Sequence, residues 1–216
     1  MEESGRSRRR QSSSQAAYTD IDGTVTGYNT IFEFLRFDAA ERSCTADAEE
    51  FLAGLRSAAR NGVPRAATNA RYFGWWRGRS VREVAQTGER WADLQAESPD
   101  EWPFLEPVAS LLDAHSLSGR KLVAVTASFE PALVRVRRRW PRIELLCTAP
   151  RVADGRYTGD VERPLVGDAK ALAVAAHAAE HNVDLIGSFA YGDHHSDLQF
   201  MALAGESLLL APASMG

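Results

Sequence analysis

The sequence predicts an α/β fold, in which a doubly wound, mostly parallel sheet is interrupted by an inserted helical segment. Three observations predict it. Apolar stretches of strand length alternate with helical patterns from residue 104 onward, which is typical of a parallel sheet with helices on both faces. Residues 30–103 carry apolar residues at helical spacing and almost no strand signal. Three predicted strands end in acidic or hydroxyl residues, and such sheets bind ligands beyond the carboxyl ends of their strands.

The predicted elements follow one another in a regular order. The first strand, 16–19, is weakly apolar and runs directly into the acidic sequence 20–24. Helical spacing broken by Gly and Pro predicts four helices in the next segment, and an Asp-Gly pair later in the chain predicts a hairpin turn. The elements are helices near 31–35, 48–59, 66–76, 81–94 and 107–114, strand 121–125, helix 131–140, strand 143–148, hairpin 152–157, helix 168–180, strand 186–191, a helix ending at 203 and strand 207–210.

Composition excludes several classes of protein. Of the 216 residues, 44% are hydrophobic and 25% are charged, which is ordinary for a globular protein and excludes a fibrous repeat or a disulfide scaffold. The net charge of −4 argues against a nucleic-acid partner. No apolar run reaches the roughly 18 residues of a membrane span. Cys44 and Cys147 are far apart and lack metal-type spacing, which favours reduced thiols and a cytoplasmic protein.

The first fifteen residues differ from the rest. Residues 1–15 are rich in Arg and Ser and are predicted to form a disordered tail. The polar stretch after the arginines argues against a signal peptide. A short basic arm that binds nucleic acid or an acidic surface remains an alternative.

Four aspartates are predicted to meet at one edge of the sheet. Asp20 and Asp22 are two positions apart in an extended chain, so their side chains point the same way and repel each other. Asp193 and Asp197 follow a later strand and share one helical face. An Asp-Gly turn and a helix cap are the simpler interpretations of the two pairs taken singly. Together, however, four carboxylates favour a hard divalent cation such as Mg²⁺.

Two further residues fit an anionic ligand. Thr126 ends the second predicted strand of the sheet, where a hydroxyl can bind a phosphate oxygen or can cap the helix that follows. Lys170 lies at the start of a helix, where its charge opposes the helix dipole. The sequence therefore indicates an anionic partner for Lys170, with a solvated surface lysine as the alternative.

The order of these motifs resembles that of the haloacid dehalogenase superfamily of phosphohydrolases. Residues 20–24 match its first motif, Thr126 the second, Lys170 the third and residues 192–198 the fourth. The resemblance covers the chain from Tyr18 to the C-terminus.

The resemblance also implies a division into domains. Residues 16–29 and 104–216 would form a Rossmann-like core, and residues 30–103 a helical cap. The sequence 155–159, followed by 167–170, resembles the phosphoserine-phosphatase-like branch (subfamily IB) with a type 1 helical cap.

The resemblance implies a role for the central residues. Asp20 would attack phosphorus and form an aspartyl-phosphate, and Asp22 would protonate the leaving alcohol and then activate water. Mg²⁺ would be held by Asp20, the backbone carbonyl of Asp22, and Asp193. Thr126 and Lys170 would hold the transferring phosphoryl group.

Supporting roles are implied for the neighbouring residues. Asp197 would support the metal shell or Lys170, and Gly23 and Thr24 would complete the first motif.

Departures from the family pattern bear on the substrate. Asn29 stands where phosphoserine phosphatases carry a glutamate that reads the substrate's amino group, so we expect a substrate other than phosphoserine. Trp76, Arg77 and His194 are further candidate contacts to the substrate. The alternatives are that the aromatic rings form the core of the helical segment and that His194 and His195 are exposed loop residues.

These features predict a Mg²⁺-dependent phosphomonoesterase that acts on a small-molecule phosphate ester, works as a monomer or homodimer and serves a biosynthetic pathway. Neither nucleic acid nor a membrane is an expected partner. The first alternative is a diphosphate-processing or phosphotransfer enzyme on the same site, for example one that acts on a prenyl diphosphate. A phospho-acceptor signalling module is a weaker alternative, because Asp22 and the large helical insert do not fit it. A catalytically inactive binding protein does not fit either, because every expected catalytic residue is present.

Overall fold

A computed structural model describes residues 13–211 of the chain. The strands are β1 Ala16–Thr19, β2 Lys121–Thr126, β3 Glu144–Cys147, β4 Pro150–Ala153, β5 Arg156–Val161, β6 Phe189–Gly192 and β7 Glu206–Leu209. The helices are α1 Thr30–Glu41, α2 Thr45–Arg60, α3 Arg65–Tyr72, α4 Val81–Glu97, α5 Val108–Leu117, α6 Val134–Arg139, α7 Asp168–Glu180 and α8 Leu198–Met201.

Five parallel strands form the central sheet in the order β3-β2-β1-β6-β7. β1 lies in the middle, where Thr19 is in register with Ala124 of β2 and Tyr191 of β6. The carboxyl ends of three strands therefore lie side by side. This architecture confirms the predicted α/β class with a mostly parallel, doubly wound sheet.

Helices cover both faces of the sheet because successive strand residues point to opposite sides. Ala17, Leu122 and Ala124 belong to an apolar cluster that also includes residues of α5 and α6. Tyr18 and Val123 point the other way, into a cluster with residues of α7 and α8. β1 and β2 are thus buried on both faces, which explains their nearly continuous apolar sequence.

The helical segment, residues 30–103, is inserted between β1 and β2 and contains α1 to α4. Aromatic side chains dominate its core. Trp76 is fully buried and stacks on Phe34, with ring centroids 5.2 Å apart. Phe129 and Tyr157, from outside this segment, belong to the same cluster, so the segment shares its core with the rest of the protein. The division into core and cap stays a prediction.

The hairpin of β4 and β5 connects the helical segment to the second half of the chain. Asp154 and Gly155 both have positive φ, 49° and 72°, as the Asp-Gly sequence predicts for a tight hairpin turn. The amide of Gly78 donates to the carbonyl of Tyr157 at 2.7 Å, and the amide of Tyr157 donates to the carbonyl of Arg79 at 3.0 Å.

Several predicted boundaries are wrong; the helix predicted near 31–35, for example, runs from Thr30 to Glu41. The predicted tail extends too far, because Ser14 pairs with Val183 and the carbonyl of Gln15 accepts a hydrogen bond from the amide of Lys121; residues 1–12 lie outside the described residues. The strand predicted from 186 begins at Phe189. Residues 186–187, predicted to begin this strand, form a turn instead. The hydroxyl of Ser188 donates to the carbonyl of Asp184.

Several predicted helices are shorter or less regular than expected. Residues 73–76 and 130–133 form 3₁₀ turns rather than α-helix, and only Leu198–Met201 is helical after the last acidic loop. Between residues 13 and 211, none of the helices combines the length and the apolar character that crossing a bilayer requires.

Candidate active site

The loop after β1 delivers Asp20 to the carboxyl edge of the sheet. The amide of Asp20 donates to the carbonyl of Tyr191 at 2.9 Å, which fixes the backbone at the end of the strand. The side chain is almost fully buried, with 3% of the residue exposed. Gly23 has a φ of 83°, and a Cβ at this position would lie 2.3 Å from Oδ2 of Asp193. The loop therefore needs glycine both for its backbone and for the close approach of Asp193.

Lys170 connects the carboxylates of two different loops. Its Nζ donates to Oδ1 of Asp20 and to Oδ1 of Asp197, at 2.7 Å each. All three side chains are buried. Lys170 lies in the first turn of α7, so the anionic partner that its position indicates is a pair of aspartates of the protein itself.

The loop after β6 supplies the second pair of aspartates. Oδ1 of Asp193 accepts from the hydroxyl of Thr24 at 3.2 Å, and Oδ2 of Asp197 accepts from the amide of His194 at 3.2 Å. Asp20, Asp193 and Asp197 each offer a carboxylate oxygen, and these oxygens lie within 4.8 Å of one another. Asp197 is thus both a helix-capping residue and a member of the acidic cluster.

A chain of hydrogen bonds connects Asp22 to the end of β2. The amide of Thr30 donates to Oδ1 of Asp22 at 2.9 Å. The hydroxyl of Thr30 donates to Oγ of Ser128 at 2.8 Å, and the amide of Ser128 donates to Oγ1 of Thr126 at 3.1 Å. The first turn of α1 and the loop after β2 therefore position Asp22 and Thr126 together.

Burial dominates the acid–base properties of the site. It raises the pKa of Asp20 to about 7, with Asp197 and Asp22 adding to the rise and Lys170 opposing it. Burial also raises the pKa of Asp22, against the hydrogen bond from Thr30. For Lys170, burial acts to lower the pKa, but the two carboxylates outweigh it and the pKa is raised. Lys170 is therefore charged at neutral pH.

A pocket lies between Asp22 and the helical segment. It has a volume of about 190 Å³, and Ile31, Phe32 and Tyr72 contribute apolar walls. Asn69 donates from Nδ2 to the carbonyl of Ala127 at 3.1 Å, while its buried Oδ1 has no partner among the described residues. Asn69 therefore connects α3 to the loop after β2 beside the pocket.

Arg65 connects α3 to the loop after β6. Its Nη1 lies 2.9 Å from Nδ1 of His194 and donates to Oγ of Ser196 at 2.9 Å. Nδ1 of His194 also accepts from the amide of Ser196 at 3.1 Å. Burial and the charge of Arg65 lower the pKa of His194, so the ring is neutral and accepts at Nδ1.

The structure brings together Asp20, Asp22, Gly23, Thr24, Thr126, Lys170, Asp193 and Asp197 at one edge of the sheet. Asn29 lines the pocket, but its Oδ1 caps α1 by accepting from the amide of Phe32 at 3.0 Å. His194 contacts Arg65 of α3 rather than lying free in solvent.

Two predicted contacts to the substrate lie elsewhere. Trp76 is 0% exposed in the aromatic core of the helical segment. Arg77 is exposed and forms an ion pair with Asp160 at 3.3 Å. The prediction that these residues face the pocket is wrong, because a 3₁₀ turn directs Trp76 inward and aligns Arg77 with β5 instead.

Sequence reasoning missed Arg65, Asn69, Thr30 and Ser128. A usable signal existed for Arg65, because it follows Gly62-Val63-Pro64 and opens a helix. A cation at a helix N-terminus opposes the helix dipole, and the same feature indicates an anionic partner for Lys170. No comparable signal marks Asn69, whose position depends on how α3 packs against the loop after β2.

The fold and this edge define an α/β protein with a buried acidic site suited to a hard cation. The family model of the haloacid dehalogenase-like hydrolases matches residues 17–202, and the chain belongs to that family.

Comparisons with curated proteins give relatives with phosphatase names. The chain is 34% identical over 104 residues to "Probable phosphatase Rv3661" of Mycobacterium tuberculosis, an alignment that covers 48% of this chain and 36% of the relative. It is 27% identical over 207 residues to "Phosphoserine phosphatase SerB1" of the same organism, covering 91% of this chain and 65% of the relative. The chain thus spans between about a third and two thirds of the length of these relatives.

Comparisons with solved structures show the same fold. A protein of unknown function from Bordetella pertussis Tohama I superposes with a TM-score of 0.79 at 19% identity, covering 94% of this chain and 92% of the other. A phosphoserine phosphatase solved as a phospho-aspartyl intermediate analogue gives a TM-score of 0.64 at 19% identity, covering 91% and 86%.

Proposed function

We propose that the protein is a Mg²⁺-dependent phosphomonoesterase that works through an aspartyl-phosphate on Asp20. The observation that carries this proposal is the pair of buried ion pairs in which Lys170 holds Asp20 and Asp197 at 2.7 Å each. This arrangement fixes one carboxylate as a nucleophile beside a cation that can neutralise a phosphoryl group. Phosphoryl transfer depends mainly on such positioning and charge neutralisation.

The acidic cluster fits a magnesium ion. Asp20, Asp193 and Asp197 offer only oxygen donors, which Mg²⁺ prefers. Lys170 is bonded to Oδ1 of Asp20, which leaves Oδ2 of Asp20 and Oδ2 of Asp193 as the proposed ligands together with the carbonyl of Asp22. When bound, the ion would neutralise charge on the phosphate and orient it toward Asp20.

In the first step, a carboxylate oxygen of Asp20 attacks phosphorus and the bond between phosphorus and the ester oxygen breaks. The leaving oxygen takes a proton from Asp22, whose pKa is raised by burial and which is therefore suited to general acid catalysis. Lys170 and the hydroxyl of Thr126 stabilise the charge on the transferring oxygens.

In the second step, water attacks the phosphorus of the aspartyl-phosphate. Asp22 takes a proton from this water, the bond to the Asp20 oxygen breaks, and inorganic phosphate is released. Asp20 and Asp22 return to their starting states, so each turnover consumes one water. Residues 30–103 act as a cap that covers the reaction and shapes the pocket.

The pocket favours a small substrate other than phosphoserine. Its volume of about 190 Å³ lies below the roughly 300–1,000 Å³ of sites for drug-sized ligands. Asn29 carries no charge that could pair with an amino group, and its side-chain oxygen already caps α1.

The test is release of phosphate from p-nitrophenyl phosphate by the native chain and by Asp20→Asn, with Mg²⁺ and with EDTA. We expect activity that needs Mg²⁺ and that falls by at least about 10³-fold in the variant, since the nucleophile is lost. A matched Asp160→Asn variant, at an exposed ion pair, should keep full activity. If a folded native chain that binds Mg²⁺ releases no phosphate from a panel of small esters, the proposal is wrong.

A further inference from the structure

A second group of side chains that can bind a metal lies away from the acidic edge, at the C-terminal end of α7. His177 and His181 are one helical turn apart, and Glu144, the first residue of β3, lies beside both. Nε2 of His177 is 3.0 Å from Oε2 of Glu144, and Nε2 of His181 is 3.7 Å from the same oxygen. The phosphatase reaction proposed above uses none of these residues.

We propose that Glu144, His177 and His181 form a binding site for Zn²⁺ or a similar divalent transition metal. Two imidazole nitrogens and one carboxylate oxygen are the ligand set that suits zinc, with a water completing the tetrahedron. Bond lengths of about 2.0–2.1 Å in a tetrahedron place neighbouring ligand atoms roughly 3.3 Å apart. The two observed separations lie on either side of this value, so small side-chain movements suffice.

The surroundings of His177 support the site. Nδ1 of His177 lies 3.0 Å from the hydroxyl of Tyr18, and the imidazole is 4% exposed. The hydrogen bond at Nδ1 fixes the ring orientation. In the tautomer in which Nδ1 donates to the phenol oxygen, Nε2 is free for a metal, which is the arrangement that partners of metal-binding histidines generally favour. Lys121 donates to the other oxygen of Glu144 at 2.7 Å, which holds the carboxylate with Oε2 turned toward the imidazoles.

The site is open to solvent and separate from the catalytic edge. The side chains of His181 and Glu144 are 36% and 33% exposed, so an ion can enter from solution. Along α7, His177 and His181 lie about 10–16 Å from Lys170 at 1.5 Å per residue. An ion bound here would tie the end of α7 to β3, and we expect it to act on stability rather than on the chemical step.

The test is zinc binding by the full chain in excess Mg²⁺, measured by competition with a chromophoric chelator and by the visible spectrum of bound Co²⁺. We expect the native chain and Glu180→Gln, a matched change on the same helix end, to bind alike and to rise in Tm with zinc. We expect His181→Gln to bind at least about tenfold more weakly, because loss even of an outer-shell partner costs roughly 10–100-fold.

Two outcomes would overturn the proposal. The first is equal zinc affinity in the native chain and His181→Gln. The second is zinc binding that is lost in Asp20→Asn but kept in His181→Gln, since that would place the ion in the acidic edge. Neither readout depends on phosphatase activity, so a chain without that activity still tests the site.

Discussion

The acidic edge of the sheet and the aromatic core of the helical segment bury their polar groups in different ways. At the edge, Lys170 holds Asp20 and Asp197 in two ion pairs of 2.7 Å. Among residues 13–211, six buried side-chain polar atoms lack a hydrogen-bond partner, and five of them lie in the helical segment. These five are Asn69 Oδ1, Gln95 Oε1 and the indole nitrogens of Trp76, Trp91 and Trp102.

This difference shows that different interactions stabilise the two regions. Charged pairs fix the atoms at the sheet edge, where a mispaired group would be strongly destabilising. Aromatic packing fixes the helical segment, where Phe34, Trp76 and Phe129 contact one another with centroids 5.2–5.7 Å apart. Packing of this kind tolerates exchanges that conserve volume, so the helical segment is the region in which pocket shape can change without disturbing the buried aspartates and Lys170 at the sheet edge.

The largest losses of stability are expected at the sheet edge and, to a similar extent, in the aromatic core. Lys170→Met removes the ammonium that holds two buried carboxylates and should lower the free energy of unfolding by about 3–5 kcal/mol, the range for a buried pair that loses one partner. Mg²⁺ should restore part of this loss, because it supplies positive charge to the same carboxylates. Urea unfolding with and without Mg²⁺ measures both effects. A loss that Mg²⁺ leaves unchanged would show that charge does not govern this region.

Trp76→Ala makes the corresponding change in the helical segment. Loss of a fully buried, stacked tryptophan should lower the free energy of unfolding by about 3–5 kcal/mol through the cavity that it leaves. Here Mg²⁺ should give no more stabilisation than it gives the native chain. The same urea series checks this expectation, and a Mg²⁺-specific rescue of the Trp76 variant would remove the distinction between the two regions.

The same contrast explains which features could be predicted from the sequence. Asp20, Asp22 and Asp193 follow strands that lie in one parallel sheet, so strand-end position alone predicts that they meet. The bounds of α7, 168–180, also agree with the prediction, because its alanine-rich sequence has a clear start and end. These features depend on local periodicity and on the topology that the α/β class imposes.

The pocket could not be predicted in this way. Whether Trp76 or a neighbour faces the core depends on the rotation of a 3₁₀ turn, which adjacent aromatic residues do not determine. Asn69 reaches Ala127 across 58 positions of sequence, and that contact follows from helix packing. The residues that shape the pocket are therefore the ones for which local pattern carries the least information.

Two glycines in the helical segment provide a matched pair of smaller changes. A Cβ on Gly88 of α4 would lie 2.3 Å from the carbonyl oxygen of Pro131, whereas a Cβ on Gly54 of α2 would meet open space. Gly88→Ala should therefore destabilise by about 1–3 kcal/mol through overpacking. Gly54→Ala should stabilise by roughly 0.5–1 kcal/mol through its helix propensity. Thermal unfolding measures both, and a stabilising Gly88→Ala would show that α4 does not pack tightly on residue 131.

The smallest effect on stability is expected at His115, in the last turn of α5. Burial and the charge of Arg120 lower the pKa of His115 from its ordinary value of 6.5, and Nε2 contacts the hydroxyl of Tyr191 at 2.7 Å. Because the unfolded chain binds this proton more readily, the contribution of His115 is full above pH 6.5 and is lost as the pH falls through that value. Urea unfolding at pH 7.5 and 5.5 should therefore show a larger loss on acidification for the native chain than for His115→Gln. Equal losses would mean that the buried ring accepts a proton as easily as the unfolded chain does. Burial would then not disfavour the charged form of His115.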